Sequence, residues 1–279
     1  MELIQIDLHK ILRDRIKGWK GKMIPGFMIS ALEHLVCQDE LNRILRECYP
    51  AVGSEFARAV YRCLGLTVDV SGLENIPKGK RLLFASNHPL GGLDGIGLIK
   101  VLGDIYTDEQ MRFMVNDMLM NVAPLRNVFL PINKYGSQAR SAARAINEAF
   151  AGDMQMVVFP AGLVSRLHDN GEISDLQWQK SFVAKAIEYK RDIVPIRFIG
   201  LNRPRFYKLA RMRKKLGIGV NLEQATLPSE LCAARNKHYK VIFGKPISWQ
   251  SLAESKKPLA QLAEEIRSEV YGLRPTQHP

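Results

Sequence analysis

The chain has 279 residues, 46% hydrophobic and 24% charged, with 40 Lys+Arg against 28 Asp+Glu and a net charge of +12. That length buries a large core unaided, and the apolar content with an ordinary 21 Gly and 14 Pro excludes disordered, collagen-like and low-complexity classes. The charge excess asks for an anionic partner, which is nucleic acid, a membrane surface or a small acidic ligand.

Residues 1–50 are expected to form a helical, basic arm. Within it, residues 10–22 carry six Lys/Arg, Lys10, Arg13 and Lys17 among them, beside an apolar face and Trp19. This is the pattern of an interfacial helix, and equally that of an amphipathic helix packed on a core. No uncharged stretch reaches the roughly 18–20 residues of a spanning helix, and the charged first turns do not suit a signal peptide. A second helical pattern, Phe27 to Arg46, follows Pro25-Gly26 and stops before Tyr49-Pro50. Cys37, Cys48, Cys63 and Cys232 form no CxxC pair and no zinc spacing, as in a reduced cytoplasmic protein without a metal.

Residues 51–279 are expected to form one catalytic domain. Apolar runs at 81–86, 111–115, 154–159 and 193–199 alternate with helical periodicity at 137–150 and 181–189. Pro195 marks an edge, a bulge or a strand end. The alternation predicts an α/β fold, a central mixed, largely parallel sheet flanked by helices with the N-terminal helical arm attached. Residues 202–215 then hold seven Lys/Arg in fourteen positions and no acid. Arg205, Lys208, Arg211 and Arg213, with Phe206 and Tyr207 between them, suit a lipid surface or an RNA. No RNP, KH, helix-turn-helix or zinc motif accompanies them, which argues against nucleic acid. A strand at 238–244 and an amphipathic helix at 258–273 close the chain.

The sharpest local feature is residues 84–95, FASNHPLGGLDG. A strand runs into a turn presenting His88, then Gly91 and Gly92, then Asp94 at the start of an apolar helix. Strand C-termini are where α/β sheets bind ligands. A histidine held by an aspartate is a base with its orienter, because the carboxylate fixes the tautomer and stabilises the imidazolium. No GxSxG nucleophile accompanies the pair, so the base would act directly on a substrate hydroxyl or amine. On spacing alone, a hydrogen-bonded turn histidine is the simpler alternative.

Asn87-His88 followed by Asp94 resembles the first motif of the glycerolipid (lysophospholipid) acyltransferase family, whose signature is NH, four residues, D. Here five residues intervene, as in the hemolysin-like and amino-acid-lipid branch. Three further blocks follow in the family's order. Residues 127–134, NVFLPINK, resemble the second, with Lys134 in place of the usual Arg. Residues 159–166, FPAGLVSR, resemble FPEGTRS, keeping Gly162 and a shifted Ser165-Arg166 but carrying Ala161 where the family has Glu. Residues 193–196, IVPI, resemble the fourth.

The resemblance implies transfer of a fatty acyl group from acyl carrier protein or coenzyme A to a lysolipid hydroxyl, with no metal or bound cofactor. It casts His88 as general base and Asp94 as its orienter, and places Asn87, Gly91, Gly92, Lys134, Gly162, Ser165 and Arg166 among the substrate-binding residues. Backbone N–H groups around Gly91, Gly92 and Gly162 are the candidate oxyanion donors. Arg166 would pair with an acidic head group or the phosphopantetheine, its alternative being a structural ion-pairing arginine. The Ala161 departure points from glycerol-3-phosphate acceptors toward a lyso-amino-acid lipid. The runner-up is a 1-acylglycerol-3-phosphate acyltransferase; from another class, a non-catalytic membrane- or RNA-binding protein. The basic segments fit an anionic membrane, with the protein peripheral on its cytoplasmic face, or an acidic carrier protein.

Overall fold

A computed structural model of the protein describes residues 35–132, 139–217 and 222–275, together with Ser30 and Glu33. Lys10, Arg13, Lys17 and Lys134 lie outside the described residues. The helices Gln38–Cys48 (α1) and Gly53–Cys63 (α2) lead into the strand Thr67–Ser71 (β1). The central strand Leu82–Ser86 (β2) follows, then the helix Gly92–Leu102 (α3) and the strands Met111–Asn116 (β3) and Phe129–Ile132 (β4). Next come the helix Ala139–Ala151 (α4), the strand Gln155–Val158 (β5) and a short hairpin, Arg166–Leu167 (β6) with Ile173–Ser174 (β7). The helix Ser181–Glu188 (α5), the strand Asp192–Ile199 (β8) and the helices Pro204–Lys215 (α6) and Leu227–Cys232 (α7) precede the last strand, His238–Phe243 (β9). The helices Trp249–Glu254 (α8) and Leu259–Gly272 (α9) end the described chain.

Seven strands form one sheet in the order β1-β9-β8-β2-β5-β3-β4, and every neighbouring pair is parallel except β8 and β9. The mixed, largely parallel sheet expected from the alternation is therefore present. Side chains alternate across it with a period of two. Leu82, Phe84, Val157, Val194, Ile196 and Phe198 face one layer, formed by α1, α2 and α3. Leu83, Ala85, Met156, Val158 and Ile193 face the other, formed by α4, α5, α8 and α9. A strand buried on both faces must be apolar at every position, which is why β2 is a continuous Leu-Leu-Phe-Ala run. Each fully buried Leu or Phe contributes about 1.5–3 kcal/mol relative to exposure. Ile44 and Cys48 of α1 belong to the first layer, so the end of the expected arm packs into the core.

Two details position the strand ends. Pro195 lies in the interior strand β8, where the ladder to β9 is interrupted. Its carbonyl accepts from Gly244 N at 2.8 Å, and Ile193 forms an isolated bridge to Ile247. The missing N–H falls where the pairing shifts by one residue, Ile196 facing Phe243 but Ile193 facing Ile247, so the proline marks a bulge. Arg191, fully buried just before β8, donates to the carbonyls of Leu82, Ala149, Phe150, Gly152 and Met154. A cation thus caps the C-terminus of α4, where the helix dipole favours positive charge. Burial, with Arg81 nearby, lowers its pKa to about 10 against the opposing pull of Asp153.

Candidate active site

The site forms where β2 leaves the sheet between β5 and β8, since the strand that follows β2 in the chain is not its neighbour. Gly91 stands at φ 81°, a conformation glycine alone adopts freely, and caps α3. A side chain there would also press on Leu227 and Val164 at 3.0–3.2 Å. This turn brings the Asp94 carboxylate back on its own loop. It accepts from the N–H groups of Leu90 (2.8 Å), Gly91 (3.2 Å) and Gly95 (2.8 Å) and lies 3.1 Å from Nδ1 of His88. Asp94 is fully buried in the first turn of α3, where the helix dipole favours an anion.

A carboxylate facing Nδ1 places the ring proton there and leaves the Nε2 lone pair for a substrate proton. The His88 ring stacks on Phe159 with centroids 4.1 Å apart, and 19% of its side chain is exposed. Burial alone would lower its pKa. The charge and hydrogen bond of Asp94, helped by Asp175 and opposed by Arg166, outweigh that and raise it above the usual 6.5. His88 and Asp94, read from six-residue spacing, are thus brought together in the geometry that a base and its orienter require.

The Asn87 side chain is fully committed to the main chain of Phe198: its Nδ2 donates to the carbonyl at 2.9 Å and its Oδ1 accepts from the N–H at 2.7 Å. It locks β2 to β8. Ser165 is buried, its Oγ donating to Asp175 at 2.6 Å and its N–H to the His88 carbonyl at 2.8 Å. The N–H groups of Gly91 and Gly162 are also spent, on Asp94 and on the Phe159 carbonyl. Among these glycines, Gly92 is exposed at the start of α3, and nothing would touch a side chain there. Ala161 packs in the apolar layer with Leu83, Ala85 and Val158, so a Glu there would bury a charge.

Arg166 takes the alternative of a structural arginine. Its Nη2 meets the fully buried Glu223 at 2.6 Å, its Nη1 donates to the Val164 carbonyl, and its guanidinium covers Phe206 at 5.3 Å. Burial lowers its pKa, Glu223 raises it and Arg213 lowers it, the net shift being downward. Arg213 reaches the same carboxylate at 2.9 Å as an ion pair without hydrogen-bond alignment. Arg203 and Arg205 both grip Glu230, and Arg211 lies 3.9 Å from Asp169. The basic stretch is therefore partly an internal ion-pair network. An exposed remainder holds Lys208, Lys214 and Lys215 beside Met212 and Leu216, which are 54% and 66% exposed. The carboxylates Asp175, Glu223 and Glu230 were missed from the sequence. No local periodicity or spacing marks them, and key partners lie far along the chain: Asp175 meets His88 across 87 residues, Glu223 meets Arg166 across 57 and Glu230 meets Arg203 across 27.

Among the described residues no group of three or more His, Cys, Asp or Glu could hold a metal ion, and no helix is long and apolar enough to cross a membrane. Residues 12–277 match the family described as acyltransferase. The chain belongs to the acyltransferase family. Two relatives in it are named lyso-glycine lipid O-acyltransferase. The protein from Phocaeicola vulgatus is 44% identical over 96% of this chain and 95% of its own. That from Bacteroides thetaiotaomicron is 45% identical over 97% of this chain and 98% of its own. The crystal structure of the 1-acyl-sn-glycerophosphate (LPA) acyltransferase PlsC from Thermotoga maritima superposes with a TM-score of 0.50. It covers 90% of this chain and 95% of its own at 17% identity, a likeness of fold. The four acyltransferase blocks read from the sequence all lie within the residues that match the family.

Proposed function

We propose that this acyltransferase moves a fatty acyl group from a thioester donor, acyl carrier protein or coenzyme A, to the hydroxyl of a lysolipid, with a lyso-glycine lipid as acceptor. The observation that carries the reading is the His88–Asp94 pair at the end of β2, in a chain 44–45% identical to enzymes named for that acceptor. Nε2 of His88 takes the acceptor's hydroxyl proton as its oxygen attacks the thioester carbonyl. Asp94 holds the ring and stabilises the imidazolium. The tetrahedral oxyanion then collapses, expelling the thiolate, which takes the proton back from Nε2. The N-terminus of α3 at Gly92 is the donor for the oxyanion that the occupied amides of Gly91 and Gly162 leave open.

The exposed side of α6 supports work at an anionic membrane from its cytoplasmic face, because Lys208, Lys214 and Lys215 flank exposed Met212 and Leu216. Each lysine near an anionic bilayer is worth about 1 kcal/mol, so replacing all three by Gln weakens binding to anionic vesicles by about 10²-fold. Co-sedimentation with such vesicles at fixed salt measures this, and unchanged binding removes α6 from the membrane contact.

The deciding assay supplies purified protein with a lyso-glycine lipid, a lysophosphatidic acid and an acyl donor, and follows products by mass spectrometry. Diacylated glycine lipid is the expected product. Phosphatidic acid alone would reassign the protein to glycerophospholipid synthesis, and no acylated product from either acceptor would remove the lysolipid reading.

A further inference from the structure

Beneath His88 lies a second buried carboxylate that the mechanism above does not use. Asp175 has no exposed surface. Its Oδ1 accepts from Ser165 Oγ at 2.6 Å and its Oδ2 from Trp178 Nε1 at 3.0 Å. The main-chain N–H of His88 approaches both oxygens, at 3.2 and 3.3 Å. On its other side the His88 carbonyl accepts from Ser165 N–H at 2.8 Å. The main chain of His88 is therefore gripped on both sides by two residues that are themselves hydrogen-bonded to each other.

The grip extends away from the site. The N–H of Asp175 donates to the Tyr271 hydroxyl at 2.7 Å, and its carbonyl accepts from Arg267 at 2.8 Å. Both partners lie on α9, so the last described helix is tied to the loop that carries His88. Three donors converge on the Asp175 carboxylate, which offers only acceptors. An amide in its place would turn an N–H₂ group toward one of those donors in either orientation. A carboxylate is thus the side chain that this convergence demands.

We propose that Asp175 is a positioning residue for the acyl transfer: it fixes the main chain of His88 against the loop after β5, and its charge favours the imidazolium formed when the ring takes the acceptor's proton. This rests on the reading of His88 as general base. The charged or titratable groups that bear on the ring are Asp94 from α3, Asp175, and Arg166 from β6. Asp175 in turn faces Tyr271 and Arg267 of α9.

The test compares wild type, His88→Ala, Asp175→Asn and Tyr271→Phe in two measurements: steady-state kinetics with lysolipid and acyl donor, and NMR titration of the His88 ring in the free protein, which needs no acceptor. A misplacement of about 1 Å can cost about 10²-fold, so Asp175→Asn is expected to lower kcat by about 10²-fold. KM should stay within about threefold, because the residue touches no substrate. The His88 ring should titrate at lower pH than in wild type. Tyr271→Phe should move both readouts in the same direction by less, and it decides the matter should Asp175→Asn fail to fold. A folded Asp175→Asn with wild-type kcat, or with an unmoved His88 titration, overturns the proposal. So does an unaffected Tyr271→Phe where Asp175→Asn does not fold. Equal activity of His88→Ala and wild type instead overturns the general-base reading, and the role of Asp175 with it.

Discussion

His88→Ala is expected to lower turnover of a lysolipid acceptor by about 10²–10⁴-fold, the contribution of a positioned general base. The fold should survive, because the ring is partly exposed and touches the body mainly through Phe159 and Asp94. The pH dependence makes the result specific. A base must be neutral to act, and the His88 pKa lies above the ordinary 6.5. Activity should therefore fall on the acid side as pH drops through that raised value. Asp94→Asn removes the largest attraction that raises the value and leaves the burial that lowers it, so the acid limb should move to lower pH. Turnover should also fall by about 10²–10⁴-fold, because an amide no longer enforces the tautomer or stabilises the imidazolium. A pH–kcat/KM profile of the two enzymes measures both effects. An acid limb that does not shift would place the essential base elsewhere.

The second large effect concerns stability. Glu223 is fully buried between Arg166 and Arg213, whose side chains are 10% and 16% exposed. Glu223→Ala removes the buried carboxylate that Arg166 and Arg213 share, and removing one partner of a buried pair costs about 3–5 kcal/mol. The midpoint of urea unfolding should fall accordingly. The double variant Glu223→Ala/Arg166→Met should recover part of the loss, because it removes one stranded charge and leaves an apolar side chain against Phe206. A single variant as stable as wild type would mean that water solvates these arginines. Arg166 would then be open to a head group, the role first expected of it.

The basic stretch shows why charge counted along a chain differs from charge presented in space. Seven cations in fourteen residues suggest one continuous anionic-ligand surface. Glu230 takes up Arg203 and Arg205, and Glu223 takes up Arg213, both from the segment leading to β9. What remains exposed is a smaller set of lysines with apolar neighbours, which resembles the surface of an interfacial helix more than a nucleic-acid groove. Proline 195 carries a similar lesson. Its missing N–H argued for an edge, a bulge or a strand end; β8 is interior, and the proline sits where the pairing with the neighbouring chain shifts by one residue, as at a bulge.

By itself the sequence determined what local spacing and pattern govern. Continuous apolar runs made the buried parallel strands legible, since a strand covered on both faces has no polar side. The turn between His88 and Asp94 was legible too, because six residues and a glycine at φ 81° suffice to fold the carboxylate back onto the ring. Tertiary structure alone decided which polar side chains would be spent holding that turn. Asp175 reaches His88 across 87 residues, Arg166 meets Glu223 across 57, and Asn87 meets Phe198 across 111. A buried polar group must find a partner, but nothing in its own neighbourhood says where that partner lies in the chain. Sequence therefore named the pair to which we assign the chemistry, and the fold chose what holds it in place.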